Sequence, residues 1–284
     1  MEARIKGQVV KAVAGQYSVK TKNGVAVCSL RGKVKRDIDV FVGDYVETDG
    51  EVIEKVYERK NCMIRPYVAN LDALYITVAP VPEPDWNLVE KLLLNCHEQK
   101  ITPVIVLNKC DLPFDPSIMI EPYVHSVKTF VVSALTGENL EELKEYSKGK
   151  LVCFCGQSAV GKSTLIGKIG GIRLETGELS KKIQRGKNTT RHVEIYDFAG
   201  GSIVDTCGFS VMEGIDIEPE ELIYYYDEFI PYQSKCRFIN CTHTKEPSCA
   251  VKKAVEEGKI NALRYERYVK LYEQLQERRK KKYD

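Results

Sequence analysis

The sequence predicts an α/β protein in which a parallel-sheet domain lies between a small N-terminal β-barrel and a C-terminal, mainly helical domain. Three observations support this prediction. Hairpin signals punctuate residues 1–60, strands alternate with helices over residues 64–215, and a Cys/His cluster precedes a helical pattern at the end. Alternating strands and helices are typical of a parallel sheet covered on both faces. We therefore expect domains at residues 1–62, 63–215 and 216–284.

The first domain is predicted from its turns and its alternating apolar residues. Asn23-Gly24 and Asp49-Gly50 are two-residue hairpin signals. About five short strands without a convincing helix are typical of an OB or SH3-like barrel. The polar segment at residues 58–63 is expected to link this barrel to the next domain.

In the middle of the chain, apolar runs of strand length surround a helical pattern at residues 86–99. The expected strands are 71–79, 103–108, 129–134, 150–156, 192–198 and 201–206. Near the end of the chain, apolar side chains recur at the spacing of one helix face, which predicts a final helix. They are Ile260, Leu263, Tyr268, Leu271, Tyr272 and Leu275.

The composition fits a globular chain with no segment that spans a membrane. Hydrophobic residues make up 43% and charged residues 29% of the 284 residues. Because no apolar signal segment is evident, we expect a cytoplasmic protein whose ten cysteines are free or metal-bound. The net charge is only +2, but basic residues concentrate at 31–36, 181–191 and 278–282. Three such runs favour a polyanionic partner.

Residues 156–163, GQSAVGKS, match the phosphate-binding loop G-x-x-x-x-G-K-[ST] and lie between a predicted strand and a predicted helix. Backbone N–H groups of such a loop turn toward a β-phosphate, and the helix N-terminus adds positive potential. Lys162 is expected to contact β- and γ-phosphate oxygens, and the Ser163 hydroxyl to bind Mg²⁺. We expect nucleotide contacts from Gly156, Gln157, Ser158, Ala159, Val160, Gly161, Lys162, Ser163 and Thr164.

A second motif, at the end of an earlier strand, predicts that the nucleotide is a guanine nucleotide. In the tetrapeptide Asn108-Lys109-Cys110-Asp111, the carboxylate can accept hydrogen bonds from both N1–H and the exocyclic amine of guanine. Adenine offers no such pair of donors, so the carboxylate would be left unpaired. Asn108 is expected to tie the loop together and the Lys109 stem to cover the base. Ser133-Ala134, after the next strand, is expected to support the guanine oxygen.

The remaining loops of a GTPase follow the phosphate loop. Thr189 and Thr190 can each close over Mg²⁺ and the γ-phosphate, and we assign Thr190. Asp205 is expected in the metal shell, and the Gly208 amide at the γ-phosphate. The predicted catalytic set is Lys162, Ser163, Thr190 and Asp205. The base-recognition loop thus precedes the phosphate loop, the reverse of the usual order. Circular permutation explains this, because all these loops lie at the carboxyl ends of parallel strands.

With these motifs in this order, the chain closely resembles the RsgA (YjeQ/YloQ) family of circularly permuted GTPases. The resemblance covers essentially the whole chain and implies an OB domain, a permuted GTPase domain and a zinc-binding domain. It also implies binding to rRNA and the small ribosomal subunit, and GTP hydrolysis stimulated by the ribosome during late maturation of that subunit. The basic runs at 31–36 and 278–282 are expected to hold RNA, and the protein is expected to be a monomer.

The group that orients the attacking water is left open. Many GTPases carry a Gln directly after the D-x-x-G glycine, but here that residue is Phe209. Members of the resembled family often carry a His before the switch threonines, where this chain has Asn188. His192 is nearby but is interpreted as a surface residue. We therefore expect slow basal hydrolysis, with the missing group supplied by another loop or by a partner.

Three cysteines and one histidine lie within 14 residues of the C-terminal domain, at Cys236, Cys241, His243 and Cys249. Three thiolates and an imidazole suit a closed tetrahedral Zn²⁺ site. The spacing is not a common finger pattern, but the zinc motif of the resembled family matches at these four positions. The other cysteines discussed, Cys28, Cys96, Cys153 and Cys155, are expected in the core.

Two other functions remain open at this point. A nucleotide kinase would use Lys162 to bind phosphate, but it would not explain the guanine motif and Asp205-Thr206-Cys207-Gly208 together. A nucleic-acid scaffold with a silent nucleotide pocket would not need Lys162, Ser163, Asp205 and Asp111, all of which are present. Consumption of ATP only with an acceptor would indicate the kinase, and no turnover would indicate the scaffold.

Overall fold

The computed structural model describes residues 4–30, 32, 39–64, 67–171, 193–198, 200–206 and 217–283. The strands of the first part are β1 (Ile5–Val13), β2 (Gln16–Thr21), β3 (Gly24–Leu30), β4 (Tyr45–Thr48), β5 (Val52–Val56), β6 (Cys62–Ile64) and β7 (Tyr67–Ala69). Those of the second part are β8 (Ala73–Val78), β9 (Thr102–Leu107), β10 (Lys128–Val131), β11 (Leu151–Cys155), β12 (Val193–Phe198) and β13 (Gly201–Thr206).

Helices lie between these strands and fill the C-terminal part. The α-helices are α1 (Trp86–Glu98), α2 (Pro116–Ile120), α3 (Leu140–Ser147), α4 (Lys162–Gly170), α5 (Ile230–Gln233), α6 (Ala250–Glu256) and α7 (Ala262–Tyr283). Two 3₁₀ helices, Pro219–Tyr225 and Asp227–Phe229, precede α5. None of the helices in the described ranges is both long and apolar enough to cross a membrane.

The N-terminal strands form a closed barrel of the OB type. β4 pairs back onto β1, and β3 and β5 run parallel, which closes the order β1-β2-β3-β5-β4. Val9, Val19 and Ile53 are buried inside it. The first hairpin differs slightly from its prediction. Thr21 pairs with Gly24, so the two loop residues lie between them, and Gly24 opens β3 with a φ of +115°.

The central sheet has the strand order β10-β9-β8-β11-β13-β12. Its first five strands run parallel, and β12 is antiparallel to β13. β8 and β11 are buried along their whole length, because core side chains cover both faces of the sheet. The loops that follow β9, β10 and β11 therefore leave the carboxyl ends of parallel strands at one edge of the sheet.

The C-terminal domain packs its 3₁₀ helices, α5 and α6 against α7. The buried face of α7 includes Tyr268, Leu271, Tyr272 and Leu275, as the spacing predicted. The prediction for Leu263 is wrong, since this side chain is 43% exposed. It lies five residues before Tyr268, about 140° around the helix. Its neighbour Arg264, four residues before Tyr268, is 4% exposed and occupies the packed face instead.

The segment at residues 58–63 is not the free polar linker that its composition predicted. Arg59 donates to the buried Asp44 carboxylate through Nε at 2.7 Å and through Nη2 at 2.8 Å. Met63 is 1% exposed and belongs to β6, which pairs with β7. Arg59 therefore anchors this segment, because it pairs with a carboxylate that has no access to water.

Candidate nucleotide and metal sites

The loop at residues 156–161 connects β11 to α4 and depends on two glycines. Gly156 has a φ of +132°, and a Cβ there would lie 2.2 Å from the Thr77 carbonyl oxygen. Gly161 has a φ of +95°, and a Cβ there would lie 2.3 Å from Nδ2 of Asn108. Any side chain would therefore be both strained and in collision with its neighbour. The two fixed glycines of the motif are required by the backbone itself.

Lys162 begins α4 and turns back into the loop. Its Nζ donates to the carbonyl oxygens of Gly156 at 2.9 Å and Gln157 at 2.6 Å. Burial lowers the pKa of Lys162, since water is partly excluded from the ammonium group. Ser158 and Ala159 are exposed at the tip of the loop, and Val160 is buried. The loop thus holds a cation near backbone N–H groups, an arrangement suited to a phosphate.

Asn108 connects three loops at the edge of the sheet. Its Oδ1 accepts from the Ala134 amide at 2.9 Å, and its Nδ2 donates to the Val160 carbonyl oxygen at 2.8 Å. The side chain is almost wholly buried, so neither bond is shared with water. Asn108 therefore joins its own loop to the supporting loop and to the phosphate loop. The structure brings together the three loops that the sequence placed at 108–111, 133–134 and 156–163.

The other members of the tetrapeptide line the same edge. Lys109 has a φ of +67°, and its Nζ donates to the carbonyl oxygens of Val81 at 2.6 Å and Ala159 at 2.8 Å. Asp111 is exposed, and one of its carboxylate oxygens accepts a hydrogen bond from the Ser133 hydroxyl. Burial and the nearby Glu138 carboxylate raise the pKa of Cys110 to about 11, so its thiol stays protonated. The other oxygen of Asp111 remains available to a base.

The predicted magnesium ligands are described only in part. Ser163 and Thr164 lie in the first turn of α4, where Ser163 is partly buried and Thr164 is exposed. Asp205 lies near the carboxyl end of β13, beside β11 in the parallel sheet. A hydroxyl and a carboxylate are oxygen donors that Mg²⁺ accepts, so this edge has a suitable donor set. The side chain of Asp205 lies outside the described residues, as do Thr189, Thr190, Gly208, Phe209, Asn188 and His192.

Gln157 makes contacts that sequence reasoning missed. Its Oε1 accepts from the Asp85 amide at 2.6 Å, and its Nε2 donates to the Glu83 carbonyl oxygen at 2.8 Å. Asp85 is the N-cap of α1, since its carboxylate accepts from the Leu88 amide at 3.0 Å. The phosphate loop is therefore hydrogen-bonded to the start of α1. A Gln in a motif position marked x gives no local signal of such a contact.

The four predicted zinc ligands converge in the C-terminal domain. One potential donor atom from each of Cys236, Cys241, His243 and Cys249 lies within 4.8 Å of all the others. The sulfurs of Cys236 and Cys249 are 3.9 Å apart, and Nδ1 of His243 lies 3.6 and 3.3 Å from them. A tetrahedral site with Zn–S bonds of about 2.3 Å places two sulfurs about 3.8 Å apart. The donor types and distances fit Zn²⁺.

The chemistry of these groups also suits a metal. Burial lowers the pKa of His243, so its ring is neutral and can offer a nitrogen lone pair. Burial raises the pKa of Cys241 to about 12, so a cation is needed for this thiol to ionise near neutral pH. Three thiols and a neutral imidazole match the donor set of a closed structural zinc site.

Two tyrosines of α7 hold the ligand loop in place. The Tyr268 hydroxyl donates to the Thr242 carbonyl oxygen at 2.6 Å, and the Tyr265 hydroxyl to the His243 carbonyl oxygen at 2.7 Å. The Glu246 carboxylate accepts from the Thr242 amide at 2.7 Å. Sequence reasoning assigned Tyr268 only to packing. The recurrence of tyrosines at one helix face, three and four residues apart at Tyr265, Tyr268 and Tyr272, is the one signal that could have indicated a polar role.

Comparison with protein families gives two matches that together span most of the chain. The RsgA GTPase family matches residues 56–214, and the RsgA N-terminal domain matches residues 6–55. A relative from Caldanaerobacter subterraneus subsp. tengcongensis, named small ribosomal subunit biogenesis GTPase RsgA, is 43% identical over 99% of both chains. A relative of the same name from Clostridium beijerinckii is 40% identical over 98% of this chain and 99% of its own.

Solved structures agree with these matches. The crystal structure of YjeQ from Thermotoga maritima has a TM-score of 0.82 and 37% identity, over 96% of this chain and 99% of that one. The structure of YloQ, described as a circularly permuted GTPase, has a TM-score of 0.78 and 32% identity, over 97% and 96% of the two chains. These relatives are GTPases, which decides against the kinase and the silent scaffold. The chain belongs to the RsgA GTPase family and has its circularly permuted GTPase fold.

Proposed function

We propose that this chain is a ribosome-stimulated GTPase that binds the small ribosomal subunit and its rRNA and assists late maturation of that subunit, hydrolysing GTP to GDP and phosphate. Relatives with that biogenesis role in their names match almost the whole chain at 40–43% identity. The observation that supports the chemistry most directly is the position of Asn108, which ties the guanine-type loop to the phosphate loop. One nucleotide can reach both loops only if they are held together in this way.

The base is recognised at residues 108–111 and 133–134. Asp111 accepts hydrogen bonds from the guanine ring while the Ser133 hydroxyl fixes its other oxygen. The Ala134 amide is held by Asn108, close to the position expected for the guanine oxygen. Lys109 is anchored at Val81 and Ala159, which lays its aliphatic stem beside the base. Cys110 contributes backbone, since its amide donates to the Val132 carbonyl oxygen at 3.1 Å.

The phosphates lie in the loop at residues 156–164. Lys162 leaves the carbonyl oxygens it now contacts and pairs with β- and γ-phosphate oxygens, where its charge opposes the charge that develops in the transition state. Ser163, Thr190 and Asp205 are the residues that would hold Mg²⁺, and Gly208 would contact the γ-phosphate through its amide. Mg²⁺ held there would supply Lewis-acid stabilisation of the negative charge on the phosphates. Phe209 cannot orient water, which supports slow hydrolysis until a partner completes the site.

Zinc has a structural role in this proposal. Cys236, Cys241, His243 and Cys249 would hold it at the edge of the apolar core of the C-terminal domain, in which Cys241 and Cys249 are buried. We divide the chain into an OB domain (1–62), a GTPase domain (63–215) and a zinc domain (216–284), and place the protein in the cytoplasm as a monomer.

GTP turnover with and without purified small subunits tests the proposal. We expect turnover to rise by about 10³-fold or more on saturation with subunits at low salt, because a partner that supplies the missing group of a GTPase site gives stimulation of that order or beyond. Lys162→Ala is the control and should remove most turnover in both conditions. Asp111→Asn should weaken GTP binding and improve binding of xanthosine triphosphate, since an amide replaces an acceptor. Turnover that stays flat as subunits are titrated would overturn the proposed stimulation.

A further inference from the structure

The loop between the first two zinc ligands exposes large apolar side chains. We call residues 235–240 the knuckle. Phe238 is 44% exposed and Ile239 is fully exposed, at 102%. Single exposed apolar residues are ordinary, but two adjacent ones at the tip of a short loop form a local apolar surface. No intramolecular role in the described structure explains why both point to solvent.

The knuckle is held at both ends rather than frayed. Cys236 and Cys241 are ligands of the proposed zinc site, and Cys241 is 5% exposed. On the N-terminal side, the Lys235 amide donates to the Tyr232 carbonyl oxygen at 3.0 Å. A loop closed by two metal ligands has little conformational entropy left to lose when it meets a partner. Its exposed tip is therefore preorganised for contact.

The charged side chains of the knuckle are basic, and the nearest carboxylate in the following sequence, Glu246, accepts hydrogen bonds from the Thr242 and Thr244 amides. Lys235, Arg237 and Lys245 are exposed, and none of them forms an ion pair with another residue in the described ranges. The Arg237 guanidinium lies 5.9 Å from the centre of the Phe238 ring. No carboxylate occurs in the sequence between Ser234 and Lys245. An apolar tip among unpaired cations is complementary to a partner that combines negative charge with flat apolar faces.

We propose that the knuckle binds an unpaired segment of RNA, with a base stacked on Phe238 and against Ile239, and with phosphates paired to Lys235 and Arg237. This inference rests on the proposed function, which supplies RNA as a partner, and it adds a contact outside the basic runs at 31–36 and 278–282. Unpaired bases stack on aromatic and guanidinium planes, whereas bases within an A-form duplex are not accessible to such a tip.

Fluorescence anisotropy of the zinc-loaded full-length protein with labelled RNA tests this contact. The probes are one single-stranded oligonucleotide of mixed sequence and the same strand in a duplex. Phe238→Ala should weaken single-stranded binding by about tenfold with an unchanged salt slope, because it removes stacking and no charge. Arg237→Gln should reduce the slope of log K against log salt by about 0.7. The matched control is Tyr224→Ala, since Tyr224 is 61% exposed in the same domain but lies among Glu220, Glu221 and Asp227.

The outcomes separate this inference from the function on which it rests. If Phe238→Ala binds single-stranded RNA as tightly as Tyr224→Ala, or loses as much affinity for the duplex, the stacking contact is wrong. Binding to phosphatidylglycerol vesicles that alone depends on Phe238 would assign the knuckle to a membrane and also overturn it. Cosedimentation with small subunits is the second arm. Failure of the unmodified protein to bind subunits would overturn the proposed function. If Phe238→Ala binds subunits as well as the unmodified protein does, only the proposed RNA contact of the knuckle is overturned.

Discussion

The GTPase domain contacts the barrel and the zinc domain through two junctions that differ in how far their charged groups are buried. At the barrel, β1 and β12 pair at one register position, Lys11↔Glu194, and ion pairs surround it. Lys20 pairs with Asp197 and Lys60 with Asp72, all of them partly exposed. A polar cleft of 550 Å³ also lies there. Water therefore reaches these pairs, and each exposed pair contributes little to stability. Buried contacts accompany them, since Val42 of the barrel packs in the core under the central sheet and Asn70 donates to the Gly43 carbonyl oxygen at 3.0 Å.

The junction with the zinc domain is buried instead. Glu90 of α1 is 1% exposed and accepts from the Tyr123 hydroxyl at 2.8 Å, the Tyr226 hydroxyl at 3.0 Å and the Arg264 guanidinium. Arg264 also donates through Nε to Glu228 at 2.8 Å. Burial lowers the pKa of Arg264, but Glu90 and the other neighbouring anions outweigh this and raise it above its ordinary value. A buried carboxylate with these donors cannot lose one without a large penalty.

The comparison shows that α1 belongs to two cores. Leu94 of α1 packs with Leu222, Phe229 and Leu271 of the zinc domain, while Leu92 and Cys96 pack under the central sheet. Exposed ion pairs allow a junction to re-form after a small rotation, whereas a buried charge cluster has one arrangement. The barrel junction therefore places its charges near water, whereas the zinc-domain junction buries its charges on α1.

The largest expected effect is that of metal removal, which should disrupt the junction between α1 and the zinc domain and leave the barrel junction intact. Chelation of the proposed zinc should unfold residues 217–283, because structural zinc contributes about 10 kcal/mol or more to the folding of small domains. We expect amide hydrogen exchange to accelerate in α1 as well, since it loses its zinc-domain core. Exchange in β2 and β3 of the barrel should stay unchanged. Equal acceleration in the barrel would show that the two junctions do not differ.

Removing one partner of the buried charge pair should have the next largest effect. Arg264→Met leaves Glu90 without its cation, so we expect a loss of about 3–5 kcal/mol in the free energy of unfolding. The double variant Glu90→Gln with Arg264→Met should recover much of this loss, because the charge of Glu90 is removed together with its cation and only the partly exposed Glu228 carboxylate loses a partner. Urea unfolding of the zinc-loaded protein measures both. A double variant no better than the single one would contradict the charge argument.

A smaller change at the same junction is Tyr123→Phe. It removes only the hydroxyl that donates to Glu90, and hydrogen bonds to charged groups contribute about 1.5–3 kcal/mol. Tyr225→Phe is a matched control, since the Tyr225 hydroxyl donates to the exposed Glu98 at the far end of the same helix. We expect the control to change the free energy of unfolding much less. A control as costly as Tyr123→Phe would indicate that burial does not set the difference.

The smallest effect is expected at the barrel. Partial burial raises the pKa of Asp197, but hydrogen bonds from Lys20 and Ser202 outweigh it, and the pKa falls below its ordinary value of 3.8. A lowered pKa means that the pair stabilises the fold above that value and stops doing so as pH falls through the folded pKa. Lys20→Ala should therefore cost about 0–1 kcal/mol at neutral pH. The difference between the variant and the unmodified protein should vanish in acid, as urea unfolding at several pH values can measure.

The fold and the candidate nucleotide site could be predicted from the sequence wherever the local backbone or the burial of an element restricts which residues can stand there. Gly156 and Gly161 could be recognised because the backbone tolerates nothing else there. The strand-and-helix pattern was confirmed because both faces of the sheet need apolar cover. The contact of Glu90 with Arg264 could not be predicted, since it joins residues 174 positions apart. Buried charges also look like surface residues in a single sequence, which is why Leu263 rather than its neighbour was assigned to the packed face.

The hydrogen bonds between Gln157 and the start of α1 connect the phosphate loop to that helix. The helix is hydrogen-bonded to the phosphate loop at Asp85, and toward its other end Leu94 packs in the core of the zinc domain. A helix of 13 residues is about 20 Å long, so a tilt of about 5° at one end displaces the other by about 1.7 Å. A displacement of that size is large compared with the tolerance of a packed core. The packing of α1 therefore opposes such a tilt, and Gln157 gives the phosphate loop a hydrogen-bonded connection to the zinc domain that does not run through residues 207–216 of the sequence.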